Sequence, residues 1–199
     1  MPANFTEEEK NQIREKLLKA GYSMCFDIGL KKMTVEKLAK QCGIAKGTFY
    51  HFYPSKEAFV AALFEENNQN NVASMMQMLK GRKKVPLEEL LHWFRGRFTF
   101  ETNFVMNFRV QDLAWLKEHG DAFHFFQPDQ DSWKGEDFLS FAEGLRADYD
   151  PGVFINFIKM IYAMAASRDT FCAWAIDTNI DLIFKAIYAY LKPEKEEKL

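Results

Sequence analysis

Apolar positions recur along this chain at intervals of three and four and nowhere in strict alternation, so the pattern predicts helices throughout and no strand. Thr6-Glu7-Glu8-Glu9 forms a capping box at the start of the first helix. Ile13, Leu17, Ala20, Met24 and Ile28 then trace one face as far as Gly29. A shorter helix follows the capping threonine Thr34, with Val35, Leu38 and Ala39 inward and Lys37, Lys40 and Gln41 outward. Gly43 ends it, because a residue without a β-carbon takes the left-handed conformation that turns the chain sharply, and Ile44 plugs the turn. From Ala45 a third helix turns Phe49 and Tyr53 inward and leaves Lys46, Gly47, Thr48, Tyr50 and His51 on the outer side. Two helices meeting at a glycine turn make a helix-turn-helix.

Pro54 closes that unit, and Ser55 offers the cap of a long helix running to about Leu79. Asn67, Asn68, Asn70 and Asn71 make its middle poorly helix-forming, which marks either a bend or an exposed face; propensity favours the exposed face. Lys80 to Pro86 reads as a loop, followed by helices over about 87–107 and 108–119. The aromatic-rich stretch from Asp121 to Gly135 suggests a short helix and a loop, and a further helix is predicted over about 136–148. Asp150-Pro151 is a sharp helix start, proline costing nothing at the first position. The last helix is expected from about Thr178 to Leu191. The expected fold is all-α with about nine helices: an N-terminal helix-turn-helix domain, 1–55, and a C-terminal helical domain, 56–199.

The major groove of DNA admits one α-helix, and short polar side chains near the start of the third helix suit that groove. The string GIAKGTFYHFYPSKEAF resembles the DNA-binding domain of the TetR family of bacterial transcriptional regulators, through Thr34, Gly43, Ile44, Gly47, Thr48, Tyr50, Ser55, Lys56 and Glu57. The resemblance covers roughly the first third of the chain. It implies a groove face of Lys46, Gly47, Thr48 and His51, with base contact by Lys46 and Thr48, and phosphate contacts by Thr34, Tyr50 and Lys56. Ala45 and Phe52 depart from the family pattern, where polar residues are commoner.

The net charge of −2 divides unevenly: residues 1–55 hold nine Lys/Arg against six Asp/Glu, and the remainder is acidic. That asymmetry has the sign a DNA-binding head requires. Lys31 and Lys32, in the first connection, either touch a phosphate backbone or are solvated loop lysines. Cys25, Cys42 and Cys172 are odd in number and widely spaced, which argues against a disulfide framework or a zinc site and for buried reduced thiols. Charges stud Met1 to Lys19 and no apolar run reaches spanning length, so a cytoplasmic chain with no membrane partner is expected.

Large aromatics concentrated between Trp93 and Met164 suit a cavity in the helical body, with polar handles such as Asn103, Asn107, Arg109, Gln111, Asn156 and Tyr162. Candidate pocket residues are Trp93, Phe98, Asn107, Trp115, Phe141, Met160 and Tyr162, unless the apolar ones are ordinary core, and the resemblance implies a small-molecule effector there, apolar or aromatic. The broad apolar faces of the last two helices suggest a two-fold four-helix bundle through Phe154, Ile158, Ile161, Ile183 and Ile187, unless those residues are intrachain core. A homodimer would set two readers about one DNA turn apart on a palindromic operator. The family resemblance further implies a repressor whose connecting helix moves when the effector binds.

His119, Asp121 and His124 match no metal-binding spacing, and no phosphate loop, Gly-x-Ser-x-Gly or dinucleotide fingerprint occurs, so neither an enzyme nor a cofactor is expected. The alternative is a helical dimeric scaffold or regulator whose DNA binding is lost or whose ligand pocket is closed. Its discriminator is the recognition surface, which retains Lys46, Thr48, Tyr50 and Lys56.

Overall fold

A computed structural model describes residues 5–119 and 135–193. Helix α1 spans Glu7–Asp27, α2 Val35–Cys42, α3 Lys46–Phe52 and α4 Lys56–Leu79. In the body, α5 spans Leu87–Arg95, α6 Val110–Glu118, α7 Gly135–Leu139, α8 Pro151–Ala166 and α9 Ile176–Leu191. Local chemistry explains the helix starts. Thr6 and Glu9 satisfy each other's backbone amides, Ser55 accepts from Ala58, and Asp150 accepts from Gly152 just after its cap.

Among the described residues two apolar cores form. The first joins Leu17, Cys25 and Met33 of the head to Phe59 and Leu63 of α4, and it is completed from the body by Phe104, Phe108 and Leu116. The second lies wholly in the body, where Leu90, Phe98, Phe154, Ile161, Phe184 and Ile187 meet. Tyr162 packs against both.

The middle of the chain departs from the periodic pattern. The helix expected over 87–107 stops at Arg95 with Gly96 as its cap, and a separate 3-10 turn, Phe104–Asn107, follows. Asn103 builds that turn: its Oδ1 accepts from Val105 N at 3.0 Å and its Nδ2 donates to the carbonyl of Arg97 at 2.9 Å. The helix expected over 136–148 ends at Leu139, and the chain pairs instead as a two-residue parallel ladder, Val85–Pro86 (β1) with Ala142–Glu143 (β2). Val85 N donates to Phe141 O at 2.9 Å, Pro86 has no N–H to prolong the ladder, and Gly144 at φ +75° turns the chain away. This short ladder corrects the expectation of no strand. The last helix starts at Ile176, two residues before Thr178.

One buried carboxylate stitches head to body. Asp112, in the first turn of α6 and fully buried, accepts from the backbone N–H of Lys31 at 2.6 Å and of Arg109 at 2.8 Å. Gly29, at φ +82°, leaves it room: a β-carbon there would lie 2.8 Å from an Asp112 oxygen. Asp112→Ala strands two backbone donors, and we expect a loss of about 3 kcal/mol of stability in urea unfolding. An unchanged midpoint would remove the carboxylate from this role.

Candidate nucleic-acid interface and the body cavity

The turn between α2 and α3 has the geometry that its glycine requires. Gly43 lies at φ +68°, and Ile44 N closes back on Ala39 O at 3.0 Å. Thr34 caps α2 by accepting from Lys37 N at 3.3 Å, whereas Ala45 gives α3 no side-chain cap. Phe49 anchors α3: it is fully buried, with its ring 5.6 Å from Phe59 and 5.8 Å from Tyr53. The opposite side of the helix exposes Lys46, Gly47, Tyr50 and His51, with Thr48 partly covered beside them. Among the described residues a β-carbon on Gly47 would meet nothing within 4 Å, so none of these neighbours requires a glycine there.

Two lysines of this region are already engaged. Lys46 pairs with Glu36 of α2, and their hydrogen bond raises the pKa of the lysine and lowers that of the glutamate. Lys56 turns inward. Its Nζ donates to Leu30 O at 2.9 Å and Lys31 O at 3.3 Å and sits 4.4 Å from the centre of the Trp115 ring. Burial pulls its pKa below the ordinary lysine value. The position matched to a phosphate contact thus holds the α1–α2 connection against α6.

A cavity of about 750 Å³ opens between α4, α5, α7 and α8. Of the seven pocket candidates, Trp93, Phe98, Phe141 and Tyr162 line it, and the other three do not. Trp115 is on α6 and stacks on His119 at 4.3 Å beneath Lys56, because α6 faces the head core. Asn107 is occupied with the carbonyls of Phe100 and Asn103, at 2.7 and 3.2 Å. Met160 is 55% exposed, on the side of α8 opposite its buried face. Sequence reasoning missed Phe94, Phe138 and Ile158 among the apolar lining and Asn71 and Arg97 among the polar lining. Tyr162 is pushed up to about 12 by burial, so its phenol stays protonated, and Asn103 Nδ2 lies 3.4 Å from its oxygen.

The proposed dimer residues also need correction. Phe154, Ile158, Ile161 and Ile187 are buried within one chain, and Ile183 packs partly against the same core. They face inward because α8 and α9 close over α5 and α7. The outward stripes of the pair carry Asn156, Met160 and Ala163 on α8 and Leu182, Ala186 and Ala189 on α9. Cys25 is buried, but Cys42 is half-buried and Cys172 exposed, which corrects the expectation of three buried thiols. Asp121 and His124 lie outside the described residues, and among those described no group of three His, Cys, Asp or Glu could hold a metal. Likewise, no described helix is long and apolar enough to cross a membrane.

These features define a helix-turn-helix head whose core is completed by an all-helical body. Residues 17–63 match the family of bacterial regulatory proteins, tetR family. The chain is 38% identical over 58 residues to the HTH-type transcriptional repressor NemR of Escherichia coli K12, a match spanning 29% of each chain. It is 24% identical over 198 residues to the uncharacterized HTH-type transcriptional regulator YvdT of Bacillus subtilis 168, covering 89% of this chain and 92% of that one. The crystal structure of a TetR-family regulator from Rhodococcus sp. shares the fold, with a TM-score of 0.65 at 13% identity over 92% of this chain and all of the other.

Replacing Lys56 with methionine keeps the stem and removes two charge-assisted hydrogen bonds and a cation–π contact. We expect Lys56→Met to cost about 2 kcal/mol in urea unfolding. Unchanged stability with weakened DNA binding would return Lys56 to the phosphate backbone.

Proposed function

We propose that this protein is a homodimeric transcriptional repressor, acting in the cytoplasm, that occupies a palindromic operator and leaves it when a small apolar or aromatic molecule fills the body cavity. The observation that carries this reading is α3, which commits Phe49 to the core and presents Lys46, Gly47, Thr48, Tyr50 and His51 outward. Gly47, with open space beyond it, permits close approach of a groove wall. Lys46 and Thr48 read base edges in this scheme, while Thr34 and Tyr50 hold phosphates. Lys46 reaches DNA by exchanging Glu36 for it, so base reading competes with an intramolecular ion pair.

The cavity has a physical route to the head. Asn103 both lines the cavity and caps the 3-10 turn, and Phe104 in that turn lies edge-on to Tyr22 of α1 at 5.1 Å. Tyr162 touches both cores, and α6 holds the α1–α2 connection through Asp112. Effector binding need only favour the conformation that does not fit the operator, since equal affinity for both would shift nothing. The second copy docks on the outward stripes of α8 and α9, where the small residues Ala163, Ala186 and Ala189 allow close helix approach around Met160 and Leu182.

Selection of duplexes from a random DNA pool, then titration of the winner at several salt concentrations, tests the reading. A palindrome with a steep salt slope supports it, and no enrichment by folded protein favours a scaffold. On the selected duplex, Tyr50→Phe should weaken binding to all sequences alike by about fivefold, one lost phosphate hydrogen bond. Thr48→Ala should instead change the preference among sequences, and identical effects of the two would contradict this division of roles. Leu182→Glu should shift sedimentation from dimer to monomer at micromolar concentration, because it buries an unpaired charge at the stripe. A dimer that persists unchanged would place the interface elsewhere.

A further inference from the structure

The body cavity is not uniformly apolar. Arg97 enters it from the chain just after α5, among Phe94, Phe98, Phe138, Met75 and Ile158. Its guanidinium is held in place from one side only. Nε and Nη2 both donate to Asn71 Oδ1, at 3.2 and 2.9 Å, and among the described residues the side chain makes no other hydrogen bond and no ion pair. An arginine guanidinium is always charged and presents two forks that each match a carboxylate. Asn71 takes the fork formed by Nε and Nη2, and it is a neutral amide. Among the described residues the end-on fork of Nη1 and Nη2 has no acceptor.

The neighbouring arginine shows the contrast. Arg95, two residues earlier, is satisfied by two carboxylates, Asp177 at 2.5 Å and Asp181 at 2.6 Å. The acids nearest the cavity do not do this for Arg97. Glu65 and Asp137 line the rim but are exposed, and Glu65 is bonded to Gln69 at 2.8 Å. A cation set in an aromatic cavity with no charged partner among the described residues lowers the cost of bringing in an anion and raises that of bringing in a second cation.

We propose, resting on the reading of this cavity as the effector site, that the effector is a hydrophobic monocarboxylate whose carboxylate takes the end-on fork of Arg97. Its apolar body lies against Phe94, Phe138 and Phe141, and Asn71 positions the guanidinium without neutralising it. Binding of the acid then reaches α4 through Asn71 and the 3-10 turn through Asn103, which holds the Arg97 carbonyl.

The test uses the full-length protein and a panel of matched probes: phenylacetate, 4-phenylbutyrate, decanoate and tetradecanoate, each beside its primary amide and its amine. Calorimetric titration of wild type, Arg97→Gln and Arg97→Lys reads binding, and circular dichroism checks that each variant is folded. At least one acid is expected to bind about tenfold or more tightly than its amide, with no binding of the amine. Arg97→Gln should abolish that preference while leaving the affinity for the amide in place, and Arg97→Lys should restore part of it. A panel in which no acid outperforms its amide, or in which the amine binds best, overturns the proposal. An acid preference that survives Arg97→Gln overturns it as well. Release of operator DNA is measured separately: an Arg97-dependent acid that leaves the DNA complex intact supports the anion site and counts against the effector reading, whereas an amide that releases DNA does the reverse.

Discussion

Helices of eight and seven residues do not persist in water by themselves, because so few backbone bonds cannot repay the cost of nucleation. Helices α2 and α3 therefore exist only as far as a core holds them, and that core is not closed by the head alone. Phe49 supplies the contact from α3, Phe59 and Leu63 come from α4, and Phe104, Phe108 and Leu116 come from the body. A head made this way cannot be indifferent to what the body does. The dependence of the short helix α3 on borrowed apolar surface is the constraint from which the rest of the architecture follows.

The polar contacts across the same junction have a different character from the apolar ones. Apolar packing tolerates small sliding, whereas the bonds of Asp112 to two backbone amides and of Lys56 to two carbonyls have narrow distance requirements. Together they give the head one well-defined seat on α6. A shift of α6 must then be followed by the α1–α2 connection or break the buried bond of Asp112 to Lys31.

Where the sequence was legible, local chemistry decided the outcome. Thr6, Thr34, Ser55 and Asp150 each bond an amide in the helix they start, so α1, α2, α4 and α8 could be placed from neighbouring residues alone. The segment from Leu87 to Asn107 keeps an apolar period, yet its course is set by Asn103 reaching back to Arg97, a contact that periodicity does not encode. The short ladder of Val85 with Ala142 joins residues far apart in the chain for the same reason. In the cavity, bulky aromatics such as Trp93 and Phe98 signalled themselves by type. Arg97 did not, because a cation in a helical sequence reads as surface until its neighbours are known. The outward stripe was missed because Met160 and Ile158 are equally apolar, and only the positions of α5 and α7 decide which of them is covered.

The asparagines of α4 carry a mechanical consequence. Four of them within five positions weaken a helix by roughly 2 kcal/mol relative to alanine, so the weakest turn of this 24-residue rod falls at its midpoint. That turn is also where the body grips it, through Asn71 on Arg97 and, one turn further, Ser74 under the Trp93 indole at 3.3 Å. The stiffness of α4 is thus lent to it by the wall it leans on. A rod held at its weakest turn takes its straightness from that grip, so loss of the Asn71–Arg97 contact would soften α4 at its midpoint.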